Sequence, residues 1–406
     1  MTIKILRCDE IANLDFEATI NLIESICLSG KLEVMHPISN KATCCVASAQ
    51  RGISNILKFC DANGLNVWYL IQISSFIDAW VCNDEFHCYE LSPTVKGTTK
   101  KIPRWIESGI ITFESHPPSE RQITGILVSG NRPYHYLHDR YIYAAELSLK
   151  HNLAAYCFRN RKCFIKELPT PSGQLAMQSR PSKGCFIAPC IRKDQLTAKH
   201  LNQVASFLTC TYAALPSERF EGITLWLGIS SQTNRRMWLE QVEGYISYIN
   251  FVSERTKKAI RIFIDGWTSY AENPPKEAEI ESDEALAHQL ITAFERQSSV
   301  TVISLIGLNY PEKIARALVT DLAITNDCSG SLITHTLCRL PCIMHGNKVI
   351  RSYPEQLLYP LAKLVDYKLI QTIPGPKPSN TDYSMPWQLL IPGTEEILSS
   401  HFLTSD

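Results

Sequence analysis

The sequence predicts an α/β protein of two Rossmann-like domains facing a cleft, each built on a parallel sheet. Three observations carry this expectation. From residue 223 to residue 345 short apolar runs alternate with helical patterns, the grammar of a doubly wound parallel sheet. The runs at 223–229, 259–264 and 300–306 are nearly unbroken in apolar residues, as strands covered on both faces are. In the first half the same order recurs once. A run at 123–128 leads into Ser129-Gly130-Asn131-Arg132-Pro133, a helical pattern from 133 to about 150, and a strand at 153–158.

Taken in order, residues 17–29 read as a helix, and 67–73 and 79–82 as short strands; the rest of 1–120 carries no clear period. The second half is sharper. Strand 223–229 precedes a helix at 236–255, and strand 259–264 ends at Asp265-Gly266. A helix opened by acidic residues spans 283–297. Then come strand 300–306, a short helix at 311–319, strand 322–325, a helix at 331–338 and a strand at 343–345. Breaker-rich stretches at 167–184, at Leu215-Pro216 and at 373–380 punctuate the chain. They divide it into an N-terminal domain, 1–215, a C-terminal domain, 216–390, and a tail, 391–406. A helix near 394–400 in that tail is expected to pack back across the domain boundary.

Composition excludes several classes. Of 406 residues 45% are hydrophobic and 20% charged, a globular balance without the signature of disorder. Forty basic residues offset forty acidic ones, so no nucleic-acid partner is expected, because duplex affinity rests on phosphate neutralisation. The first residues lack an apolar core and cleavage site, and no apolar run approaches the roughly 18 residues of a membrane span. A cytoplasmic location follows as the expectation. Fifteen cysteines, an odd number without a Cys-x-x-Cys pair, read as reduced, buried small hydrophobes and not as metal ligands.

The segment from Asp321 to Ile343 is the most informative. A strand runs into Asn326-Asp327, then Cys328-Ser329-Gly330-Ser331, then a helix. Small residues let the backbone approach a ligand, the amides and dipole at a helix start favour a phosphate, and the hydroxyls of Ser329 and Ser331 add donors. Open α/β sheets bind ligands at this end of their strands. The plain alternative is a serine N-cap. Asp327 to Ser331, the following helix and Leu340-Pro341-Cys342-Ile343 together resemble the donor-site segment of bacterial glycosyltransferases of the heptosyltransferase type, glycosyltransferase family 9. The sequence departs from that pattern at Cys328, inserted between Asp327 and Ser329-Gly330.

The resemblance spans about residues 220–350. It implies a GT-B-like architecture, with 1–215 as the acceptor-side domain and 216–390 as the nucleotide-sugar-binding domain, and a metal-independent glycosyltransferase, with a nucleotide-sugar as co-substrate and no cofactor. The acceptor would be a polysaccharide, glycolipid or other lipid-linked glycan, or a protein, with peripheral membrane contact for a lipid-linked one. Arg235 or Arg236, after the strand at 223–229, would neutralise the donor phosphates; the alternative is a solvated helix start. Asp265 and Gly266 would meet a ribose or acceptor hydroxyl, or simply close a turn.

In the first half, Gly130 to Asp139 is the densest polar cluster. His135, His138 and Asp139 share one helix face, and histidine suits removal of a proton from a sugar hydroxyl near neutral pH. His135 is the first choice for the base and Asp139 the second. Histidines merely packed on an amphipathic helix are the alternative. A nucleotide-sugar epimerase on the same frame and a non-catalytic carbohydrate-binding or assembly protein are the rival functions. No P-loop, nucleophile elbow or Asp-x-Asp motif is present.

Overall fold

The computed structural model describes residues 5–51, 54–114, 123–128, 136–151, 155–158, 163–167, 176–178, 185–188, 198–215, 218, 220–232, 236–270, 277–326, 328–347, 361–375 and 381–401. The chain divides into two compact units, Met1–Leu196 and Thr197–Asp406.

In the first unit, helices α1 (Cys8–Ala12) and α2 (Phe16–Ser29) come first. Asp15 caps α2 by accepting from the Ala18 amide at 2.8 Å, and Gly30 ends it at φ 67°, a conformation that costs glycine nothing. Six strands follow in an antiparallel sheet whose spatial order is their chain order: β1 (Glu33–Met35), β2 (Ala42–Arg51), β3 (Ser54–Cys60), β4 (Trp68–Gln72), β5 (Ala79–Cys82) and β6 (Glu85–Cys88). This corrects the expectation of a Rossmann-like first half. The physical reason lies in the connections: β5 and β6 are joined by Asn83 and Asp84 alone, and β3 and β4 by a turn around Asp61. Parallel neighbours need a crossover of about a dozen residues or more. Asp61 accepts from the amides of Asn63 and Leu65 at 3.0 and 2.8 Å, which fixes that turn. Helices α3 (Pro93–Thr99) and α4 (Ile102–Glu107) bury Val95 and Ile102 against Ile56, Ile71 and Val81 of the sheet.

The parallel part of this unit is a four-stranded sheet in the order β10 (Cys185–Ile187), β7 (Ile123–Leu127), β8 (Ala155–Phe158), β9 (Ala176–Gln178). A π-helical turn, Leu137–Tyr141, leads into α5 (Ile142–His151) between β7 and β8, so the expected strand, helix and strand are all present. Edge strand β10 docks on the antiparallel sheet through side chains. The Phe186 amide donates to Ser48 Oγ at 2.9 Å and its carbonyl accepts from Asn55 Nδ2 at 2.9 Å. The Ala188 amide donates to Gln72 Oε1 at 2.9 Å. Three buried polar side chains thus satisfy backbone groups that an edge leaves open.

The second unit starts with α6 (Ala198–Tyr212) and holds a six-stranded parallel sheet. Its strands are β11 (Ile223–Gly228), β12 (Ile260–Asp265), β13 (Val300–Ser304), β14 (Leu322–Asn326), β15 (Cys342–His345) and β16 (Ala362–Leu364). Their spatial order is β13-β12-β11-β14-β15-β16. Counted within the unit, this is 3-2-1-4-5-6, the doubly wound Rossmann order. Every residue of β11 and β12 is buried, as the apolar runs require.

Helices α7 (Gln241–Thr256), α8 (Glu277–Phe294) and α10 (Ile391–His401) share one core cluster with the sheet, through Tyr245, Leu290 and Ile397 among others. Helix α9 is Tyr310–Ala317. Thr394 of α10 lies 2.8 Å from the Tyr248 hydroxyl of α7, so the C-terminal helix is built into this unit. Among the described residues no helix is long and apolar enough to cross a membrane.

Candidate functional site at the carboxyl edge of the second sheet

In the 3-2-1-4-5-6 order the chain leaves β11 in one direction and returns to β14 on its other side. At such a reversal, outside the carboxyl ends of the two strands, open α/β sheets bind ligands. Gly228 ends β11. A Cβ there would lie 3.3 Å from the Thr325 Cα on β14, so glycine permits the close approach of the two strand ends.

The loop after β11 is held from several sides. Gln241 accepts from the Ser230 amide at 3.1 Å and donates to its carbonyl at 2.8 Å. Asp283 accepts from the Ser231 amide at 3.2 Å and from the Ser231 hydroxyl, and its other oxygen accepts from the Trp267 amide at 2.8 Å. One buried carboxylate on α8 therefore ties the loop after β11 to the loop after β12. Asp283 was expected near the start of its helix, but α8 already runs from Glu277, which places Asp283 in its interior.

Arg236 also departs from expectation. Instead of opening a helix it stands at φ 71°, and α7 begins at Gln241. The cause is tertiary. Residues 237–239 run beside the short strand β18 (Tyr383–Ser384), which also pairs with β17 (Gln371–Thr372). There the Tyr383 amide donates to the Met237 carbonyl and the Leu239 amide to the Tyr383 carbonyl, each at 3.0 Å. Asp382 accepts from the Met237 amide at 3.0 Å. A positive φ at a non-glycine residue is uncommon, and such outliers concentrate where surroundings over-determine them.

At the end of β14, Asn326 Nδ2 donates to the Arg236 carbonyl at 3.3 Å, linking the loops after β11 and β14. A 3-10 turn, Cys328–Ser331, follows, then a π-helical segment, Leu332–Leu337, where an ordinary helix was expected. Gly330 sits against Asn326: an added Cβ would come within 2.6 Å of Asn326 Oδ1. Ser331 is fully buried.

The structure thus brings Arg236, Gly330 and Ser331 to the loops of one edge. Asp265 and Gly266, at the end of β12, face inward. Lys313 of α9, 0% exposed, donates to Asp265 Oδ1 at 2.5 Å, to the Gly266 and Trp267 carbonyls at 3.1 and 3.0 Å, and to Thr268 Oγ1 at 3.0 Å. Burial pushes the Asp265 carboxyl up, against the pull of Lys313. Arg235, Asp327 and His135 lie outside the described residues, as do the side chains of Ser329, His138 and Asp139.

Sequence reasoning did not find Lys313, Asp283, Asn326, Gln241 or His345. The signal for Lys313 was a lone cation among the apolar positions of a helix; the others looked like ordinary polar residues.

His345 ends β15, in register with Asn326. It is 1% exposed, its Nδ1 lies 2.6 Å from the Tyr383 hydroxyl and its ring packs edge-on to Trp238. Burial pushes its imidazole down to about 3. The neutral form is therefore favoured by folding, and its contribution is complete above the unfolded value of about 6.5 and is lost as pH falls towards 3. Wild type is expected to lose about 1.4 kcal/mol more per pH unit across this window than His345→Gln, about 5 kcal/mol in all. Urea titrations of both proteins at stepped pH check this; equal slopes refute it.

Among the described residues no group of three His, Cys, Asp or Glu side chains converges as a metal site requires. No protein-family model and no curated protein matches the chain. Two solved structures show a distant likeness, both of UDP-GlcNAc 2-epimerase from Methanocaldococcus jannaschii. The one in complex with UDP-GlcNAc and UDP has 12% identity and a TM-score of 0.31, with 64% of this chain and 66% of that chain covered, just under two thirds of its length. The other has 12% identity and a TM-score of 0.32, covering 76% and 77%.

Proposed function

We propose that this chain is a nucleotide-sugar-dependent glycosyltransferase whose second unit holds the donor diphosphate outside the carboxyl ends of β11 and β14. The observation that carries the reading is the reversal of strand order at that point, with Gly228 ending β11 close against Thr325 and Gly330 packed against Asn326, the last residue of β14. In this reading the turn of Ser329, Gly330 and Ser331 offers backbone amides to the phosphates, with Asp327 at its start. Arg235 or Arg236 adds the cation that steadies the departing diphosphate. The base that deprotonates the acceptor hydroxyl is His135, with Asp139 orienting it and His138 beside them. The acceptor is a glycan, a lipid-linked sugar or a protein.

A thermal-shift panel of UDP-, GDP-, ADP- and CMP-sugars tests the reading. A ligand at about 100 times its Kd stabilises by about 2.7 kcal/mol, which for a unit of this size raises Tm by about 5–10 °C. The stabilising sugar nucleotide should also hydrolyse slowly when no acceptor is present. His135→Ala should lower turnover by about 10²–10⁴ with donor affinity unchanged. Absence of any shift across the panel refutes donor binding. Binding without hydrolysis or transfer refutes the transferase and leaves a carbohydrate-nucleotide binder.

A further inference from the structure

Cys44 on β2 and Cys60 on β3 are direct partners in the antiparallel register. Directly opposed residues have Cα atoms about 4.5 or 5.5 Å apart, according to the hydrogen-bond pattern, and both spacings fall inside the window a disulfide requires. Opposed side chains also leave the sheet on the same face. Neither residue is in a disulfide. We propose that Cys44 and Cys60 form a thiol-oxidation site, which a low-molecular-weight disulfide of the glutathione class converts to a cross-strand disulfide between β2 and β3.

The two thiols differ in access, and the difference assigns their roles. Cys44 is half-buried, whereas Cys60 is 5% exposed and packs with Val46, Ala47, Val67 and Phe113. The Cys44 thiolate attacks one sulfur of oxidised glutathione and expels one glutathione thiolate, leaving a mixed disulfide on Cys44. The Cys60 thiolate then attacks the Cys44 sulfur and expels the second glutathione. The two protein thiols are oxidised, two glutathione thiols are produced, and the two protons lost by the protein end on the released glutathione at neutral pH.

Other cysteines in these sheets lack this arrangement. Cys45 opposes Phe59, Cys82 opposes Glu85, Cys88 opposes Ala79, and Cys342 lies between Ala323 and Ala362. Burial also holds the thiols of Cys8 and Cys27 protonated, pushed up to about 12. The ladder between β2 and β3 already pairs the two residues, with its one irregularity beyond Cys45, and closure ties together two interior strands of the antiparallel sheet.

The test uses the full folded chain and oxidised glutathione as the probe, with remaining thiols alkylated after denaturation and the products mapped by mass spectrometry. The expected product is two hydrogens lighter, with the peptides containing Cys44 and Cys60 joined, and reverts on addition of a dithiol. The transition of the first unit should rise by about 5–10 °C on oxidation, from the closure of a loop of about 15 residues. Cys60→Ser should stop at the glutathione adduct on Cys44, and Cys44→Ser should leave Cys60 alkylatable. The wild-type map decides even if either variant fails to fold. Free thiols at both positions after prolonged exposure, or Cys44 joined to a different cysteine, overturns the proposal.

Discussion

Lys313→Ala is expected to destabilise the second unit by about 3–5 kcal/mol. The ammonium is buried and meets four acceptors, foremost the Asp265 carboxylate at 2.5 Å. Removing one partner of a buried pair leaves an uncompensated charge, which costs that much, whereas replacing both partners is often close to neutral. Lys313→Met should therefore be nearly as damaging as Lys313→Ala, although it fills most of the volume. Lys313→Met combined with Asp265→Leu should recover much of the loss. Urea unfolding of the four proteins decides the matter. A loss below about 1 kcal/mol in Lys313→Met would mean that the pair is not the buried, coupled unit its geometry indicates.

Gly330→Val is expected to abolish nucleotide binding while the chain stays folded. If the turn gives two charge-assisted hydrogen bonds to a diphosphate, each contributing about 1.5–3 kcal/mol, losing both weakens binding by about 100-fold or more. The added Cβ would also press on Asn326 Oδ1 at 2.6 Å, and that contact has to be separated from the effect on the ligand. Gly330→Ala with Asn326→Ala provides the separation. It relieves the contact within the protein but still crowds the backbone, so affinity should stay low. Calorimetry with the nucleotide found by the thermal-shift panel gives the answer. Wild-type affinity in a folded Gly330→Val protein removes the turn from the site.

By itself the sequence determined the second unit to a large extent. Strands at 223–229, 259–264, 300–306, 322–325 and 343–345 all appear as parallel strands, because each is an apolar run between helices; cover on both faces holds for the others but not for the run at 300–306, which forms the edge strand β13 and is largely exposed. It also located the strand, helix and strand at 123–158 and the helix that became Phe16–Ser29.

Tertiary structure decided the rest. Residues 42–60 carry β2 and β3 in a form no period announced, since Ala42–Arg51 is buried over five consecutive positions and so shows no alternation. Strand order in the second sheet depends on which edge each crossover helix reaches, which local pattern does not encode. The conformation of Arg236 is set by Tyr383 and Asp382, about 145 residues away in the chain. The buried partners Lys313–Asp265, Asp283–Ser231 and His345–Tyr383 likewise join distant segments, and a charge on a helix reads as solvated until the fold buries it.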